Sequence, residues 1–172
     1  MGVNIGALQL QQKNFTSQLA HILSCHPGVE PHLLQLEVME TSVFNDLEQV
    51  SNVIQDCLNM GVRFALDDFG TGYSSLNHLK LLPAISIKID QSFIAKMLTD
   101  REDRAIVEGV IGLAKAFKCE MIAEGIETSA QGKALLEIGC EHGQGYGIAH
   151  PMPASDIPIW VENWRLNTHS FV

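Results

Sequence analysis

Short apolar runs alternate along this chain with amphipathic segments, each pair recurring at intervals of roughly 20–34 residues. Val3–Ile5, Leu33–Met39, Val62–Leu66, Ile85–Ile89, Glu120–Ala123 and Gly143–Ala149 read as strands. Helical periodicity fills the spaces between them. One helix runs over Phe15–Leu23. The next carries Leu47, Val50, Val53, Ile54, Cys57 and Leu58 on one face and stops at Gly61. Others cover Ser74–Leu81, Glu102–Phe117 (with Ile106, Val110, Leu113, Ala114 and Phe117 inward) and Ser129–Ile138. A last helix, capped by Ser155, carries Trp160 and Trp164. Strands joined through helices must run parallel, because a hairpin cannot make that connection. The pattern therefore predicts an α/β fold of about six βα units, curled as a barrel-type sheet or, as the runner-up, open and doubly wound. The 172 residues suit one domain over 1–165, with a short tail at 166–172.

Each strand delivers a polar residue to the same end. In order these are Asn4, Glu37 with Glu40 behind it, Asp67 with Asp68, Lys88 with Asp90, Glu124 with Glu127, and Gln144. In a (β/α) barrel that end is the active-site face. Adjacent carboxylates at the exit of an apolar strand repel each other and lose hydration, so they call for a cation or protons. Oxygen donors from Asn, Asp and Glu suit Mg²⁺, Mn²⁺ or Ca²⁺. Asp67 is placed to serve two ions and Asp68 one, an arrangement that stabilises both oxygens of a phosphodiester displacement. Lys88 is a point charge suited to a phosphate or a nucleophilic water, or to a buried ion pair with one of the acids. Glu124 is a candidate proton acceptor. His150, before Pro151, is expected near the mouth of the site.

Composition narrows the partners. A formal net charge of −9 makes nucleic acid polymers and anionic membranes poor partners. No apolar stretch approaches the ~20 residues of a membrane span. Cys25, Cys57, Cys119 and Cys140 show no paired metal spacing and read as reduced thiols in a cytoplasmic protein. The histidines lack ligand spacing for zinc, and neither GxGxxG nor a P-loop occurs.

The segments LQLEVMETSVF, GVRFALDDFGTGYSSLNHLKLLP, ISIKIDQSFI, IAEGIET and GQGYGIAHPMPA resemble the EAL domain family. That resemblance runs from about Val3 to Pro153. It implies a TIM-like (β/α) barrel that hydrolyses cyclic di-GMP to linear pGpG with Mg²⁺ or Mn²⁺, and that Ca²⁺ fills without supporting efficient chemistry. By the resemblance, Asn4, Glu37, Asp67, Asp68 and Glu124 are metal ligands and Lys88 is the catalytic lysine. Glu40 would hold the loop after the paired aspartates. Asp90, Glu127, Gln144 and His150 fall on positions near the ligand. The segment Phe69–Ser75 would couple a dimer interface to the metal site.

The chain also departs from the family pattern. It holds no Glu-Ala-Leu tripeptide, and its first strand matches the family's third, leaving about six of the eight strands of an incomplete barrel. Met39, Gly6 and His150 stand where Thr, Ser and Arg are usual. Three expectations follow: a homo-oligomer that covers the open sheet edges, impaired or absent hydrolysis for want of one carboxylate, and, as the alternative, a non-catalytic module that binds cyclic di-GMP or metal, or regulates a partner.

Overall fold

In the computed structural model, which describes residues 1–40, 46–72, 75–83 and 86–167, the apolar runs become one parallel sheet. Its strands are β1 (Gly2–Asn4), β2 (Gln35–Met39), β3 (Arg63–Phe69), β4 (Ser86–Ile89), β5 (Glu120–Ala123) and β6 (His142–Gly143). They lie side by side in chain order, each neighbouring pair parallel. The crossovers carry helices α1 (Ala7–Leu10), α2 (Phe15–Cys25), α3 (Leu47–Asn59), α4 (Ser75–Leu81), α5 (Gln91–Lys96), α6 (Arg101–Phe117) and α7 (Ser129–Glu137), and α8 (Ile157–Asn167) follows the last strand.

Alternation along the strands separates two faces. Leu36, Val38, Phe64, Leu66, Ile87, Ile89, Met121 and Ala123 point to the helices and are buried. They meet Val50, Ile54 and Cys57 of α3, and Val107, Val110, Ile111 and Ala114 of α6. The intervening residues face the other way and bond to one another. Arg63 on β3 reaches Glu120 on β5, and Ser86 on β4 reaches Gln35 on β2 at 3.2 Å. Each contact crosses an intervening strand, so the sheet is curled with these side chains on its concave face, a half-barrel with the helices outside. The core lies in the convex layer. Burial there pushes the Cys57 thiol up to about 11, with the Asp56 carboxylate adding to the effect.

Local chemistry sets the helix ends. Asp46 accepts from Gln49 N at 2.9 Å, and Asp100 accepts from Glu102 N at 2.8 Å, each replacing a missing helical acceptor. Lys118 closes α6 in the left-handed region (φ 59°).

Several elements differ from the sequence reading. The Gly143–Ala149 run is not a strand: β6 ends at Gly143, and the following residues turn back on Ile126. Gly147 N donates to Ile126 O at 2.8 Å, and a Cβ at position 147 would lie 2.6 Å from the Glu127 carbonyl carbon. Backbone here approaches backbone, which glycine permits. Strand β3 runs on through both aspartates to Phe69. The inward face of α6 is rotated, with Val107 and Ile111 buried where Ile106 and Phe117 are exposed. Ser155 sits in a 3-10 turn and bonds Asp156 instead of capping α8. Helix α8 runs on to Asn167; residues 168–172 of the expected tail, Ile85, and Tyr73 and Ser74 of the Phe69–Ser75 segment lie outside the described residues. No described helix is long and apolar enough to cross a membrane.

Candidate active site

A bulge in β3 shapes the site. In a regular strand, consecutive side chains point to opposite faces. Pairing of β3 with β4 shifts register between Leu66 and Phe69, and Asp68 adopts φ 53°. This bulge brings Asp67 and Asp68 together with Glu124 of the β5 exit, and carboxylate oxygens of all three lie within 4.8 Å of one another. Aspartate tolerates the left-handed region better than most residues.

Lys88 on β4 stands against this cluster, 4% exposed. Its Nζ lies 2.8 Å from Glu37 Oε2, 3.0 Å from Asp67 Oδ1 and 2.6 Å from Glu124 Oε1. One ammonium thus serves three carboxylates. With Asp68, the described residues set four acids against one base, a site that calls for further positive charge. Burial disfavours the charged lysine, yet hydrogen bonds to Glu124, Glu37 and Asp67 outweigh it and hold the ammonium above its ordinary value. Burial raises the Asp68 carboxyl above the usual carboxylate range; repulsion from Asp67 and Asp90 adds to this, and Lys88 offsets part of it. Glu124 is raised as well, first by burial, with the Lys88 hydrogen bond opposing and Asp67 adding.

The remaining predicted residues fall around this centre. Asn4 stands on the exposed edge strand, level with Glu37 in the β1–β2 register. Gly2 makes room for the acid, because a Cβ there would meet Glu37 Oε1 at 2.1 Å. Gln144 donates to Glu124 Oε1 at 2.7 Å. Asp90 caps α5 through Ser92 N at 2.9 Å and lies close enough to Asp68 to raise it. Buried Glu40 accepts from Gly70 N at 2.8 Å and Gly72 N at 3.3 Å, so its carboxylate bonds the turn that follows the paired aspartates.

Beside the acids opens a cleft of about 520 Å³, within the range of small-molecule sites. Glu124, Glu127, Gln144 and His150 line it. Among the lining residues not expected from the sequence, two carry polar side chains. Tyr146 stacks on His150 with ring centroids 4.4 Å apart, and Gln91 forms the α5 wall. The alternation in GQGYG reads as a strand and masks the turn that exposes Tyr146; nothing in the local pattern marks Gln91.

Comparison with known proteins agrees with the geometry. The EAL domain family matches residues 1–151. The bifunctional diguanylate cyclase/cyclic di-GMP phosphodiesterase MucR of Pseudomonas aeruginosa is 38% identical over 157 residues, covering 91% of this chain. The chain spans only 23% of that curated relative. Among solved structures, the EAL domain of Mycobacterium smegmatis DcpA superposes with a TM-score of 0.88 at 36% identity, over 94% of this chain and 72% of that one. A manganese and cyclic di-GMP complex of Klebsiella pneumoniae BlrP1 superposes with a TM-score of 0.79 at 27% identity, over 87% of this chain and 38% of that one. A curled parallel sheet, a bulged aspartate pair facing a lysine, and a family match across most of the sequence have one common explanation: the chain belongs to the EAL domain family.

Proposed function

We propose that the concave site binds a divalent cation, Mg²⁺ or Mn²⁺, together with cyclic di-GMP. The convergence of Asp67, Asp68 and Glu124 carries this reading. The donors are all hard oxygens, they carry excess negative charge, and among the described residues one ammonium, that of Lys88, pairs with them. Glu37 and Asn4 stand on the same side as further ligands. A bound cation supplies Lewis acidity and charge neutralisation at a phosphodiester. Lys88 orients a phosphate oxygen or the attacking water, and Glu124, already bonded by Lys88 and Gln144, takes up the proton. Asp90, Glu127, Gln144 and His150 surround the ligand in the adjoining cleft. Glu40 keeps the 70–72 turn in place beside the aspartates. The four free cysteines fit a cytoplasmic setting.

We further propose that this 172-residue chain binds better than it turns over. Of the three carboxylates that converge, Lys88 already draws on two, Asp67 and Glu124, so a cation must compete with its ammonium for them. Incubation with cyclic di-GMP and Mg²⁺ or Mn²⁺ should give pGpG at least about 100-fold more slowly than MucR under the same conditions, the scale of losing one electrostatic group. Calorimetry in Ca²⁺ should still detect cyclic di-GMP binding, which favours the regulatory or binding-module reading. Turnover matching MucR would overturn the impairment, and absence of binding with every cation would overturn the ligand assignment.

The sheet edges carry a related proposal. Strands β1 and β6 are exposed, and an opening of about 610 Å³ lies on the concave side near Gln35, Arg63 and His142. Unpaired parallel edges invite strand partners, so a second copy is expected to cover them. Sedimentation at micromolar concentration should show a dimer or larger species; a clean monomer would refute this.

A further inference from the structure

Gln131 is a buried polar side chain at the third position of α7, remote in sequence from the lysine and the aspartates. It is 5% exposed, and its amide bonds in two directions. Oε1 accepts from Glu127 N at 2.9 Å, Thr128 N at 2.9 Å and Thr128 Oγ1 at 3.1 Å. Nε2 donates to Ile94 O of α5 at 3.1 Å, in the interior. The first set completes a capping box with Thr128. A box of this kind works equally well with Glu at this position, because only an acceptor is needed. The bond to Ile94 is different: a carboxylate there would face a carbonyl oxygen. The choice of Gln is therefore explained by α5, not by the helix it caps.

The two elements that Gln131 joins are adjoining walls of the cleft. Gly125 and Glu127 lie on the β5–α7 loop, and Gln91 begins α5. They also touch at the cleft side: Gly125 has φ 67°, and a Cβ there would lie 2.5 Å from Gln91 Cβ. The Gly125–Gln91 contact limits how closely the walls approach. The Gln131–Ile94 bond, behind it, keeps them from parting. We propose that Gln131 is a positioning residue that fixes the shape of the ligand cleft by tying the β5–α7 loop to α5. The proposal rests on the cleft being the cyclic di-GMP site and adds a determinant of affinity that contacts no ligand.

The test compares the 172-residue protein with Gln131→Glu and Gln131→Met at about pH 8, where a carboxylate ringed by three donors stays ionised. Amide hydrogen exchange, Ca²⁺ affinity and cyclic di-GMP affinity in Ca²⁺ are measured for each. Gln131→Met should lose protection in both 124–128 and α5. Gln131→Glu should keep protection at Glu127 and Thr128 while exchange in α5 rises about tenfold, the scale of one buried hydrogen bond lost. Its cyclic di-GMP affinity should fall about 5–10-fold with Ca²⁺ affinity unchanged, a split that general destabilisation does not produce. Wild-type exchange in α5 of Gln131→Glu would overturn the proposal, as would cyclic di-GMP affinity equal to wild type. If wild type itself fails to bind cyclic di-GMP, the functional reading falls, and the exchange result still decides whether Gln131 ties the two walls. If Gln131→Met does not fold, Gln131→Glu decides alone.

Discussion

Lys88→Met is expected to lower the melting temperature of the metal-free protein by roughly 10 °C. Removing one partner of a buried ion pair costs about 3–5 kcal/mol, and each kcal/mol moves the midpoint about 2–4 °C in a chain of this length. The lysine here serves Glu37, Asp67 and Glu124 at once, all little exposed. Methionine matches the apolar stem but leaves the carboxylates with no counter-charge, so they must take up protons or repel. The loss should be conditional. A divalent ion replaces the missing charge, so Ca²⁺ should raise the melting temperature of Lys88→Met more than that of wild type. Thermal denaturation followed by circular dichroism in EDTA and in Ca²⁺ measures both effects. A variant melting within about 2 °C of wild type in EDTA would show that the ammonium is not what holds the acids together.

Asp68→Asn should move stability the other way. The Asp68 carboxyl is raised by burial, by Asp67 and by Asp90, so its ionised form is disfavoured in the folded protein. A carboxyl raised above its unfolded value contributes stability below the ordinary carboxylate range, and that contribution is lost as pH rises through the raised value. Above that raised value the carboxylate is ionised and repels Asp67 and Asp90. The neutral amide removes the repulsion and, like aspartate, tolerates φ 53°. Melting in EDTA at neutral pH should rise by about 2–4 °C, corresponding to about 1 kcal/mol. The gain should shrink as pH falls and wild-type Asp68 becomes protonated. Divalent affinity should drop by at least the 10–100-fold, roughly, that losing a supporting metal-site partner costs. A variant that is less stable in EDTA, or that binds Mn²⁺ as tightly as wild type, would remove Asp68 from the site. Together the two substitutions test whether the acids are kept for a ligand at a cost to the unliganded protein.

Much of this site is legible in the chain because acids at the ends of apolar runs have few structural reasons to be there. Asp67, Lys88 and Glu124 all lie toward the C-terminal ends of neighbouring strands, with Lys88 level with Ile122 and Glu124 two residues further on. The Thr128–Gln131 box is equally local, since T-x-x-Q before an apolar run is a helix start. Other features depend on surroundings. The apolar content of α6 does not say which of Ile106 and Val107 turns inward; the helix must first dock on the sheet. The Gly143–Ala149 run alternates like a strand, yet its glycines press on the Ile126 and Glu127 backbone and turn the chain away.

By itself, then, the sequence determined the α/β class, the succession of strands and helices along the chain and the set of acids at the strand ends, because hydrophobic periodicity and strand-end chemistry are local. Only the tertiary structure decided that two successive aspartates share one face, that a single lysine is divided among three acids, and that Gln131 reaches α5. Each of these follows from a register shift or a contact between residues 20 to 50 positions apart, roughly, where packing rather than local propensity selects the conformation.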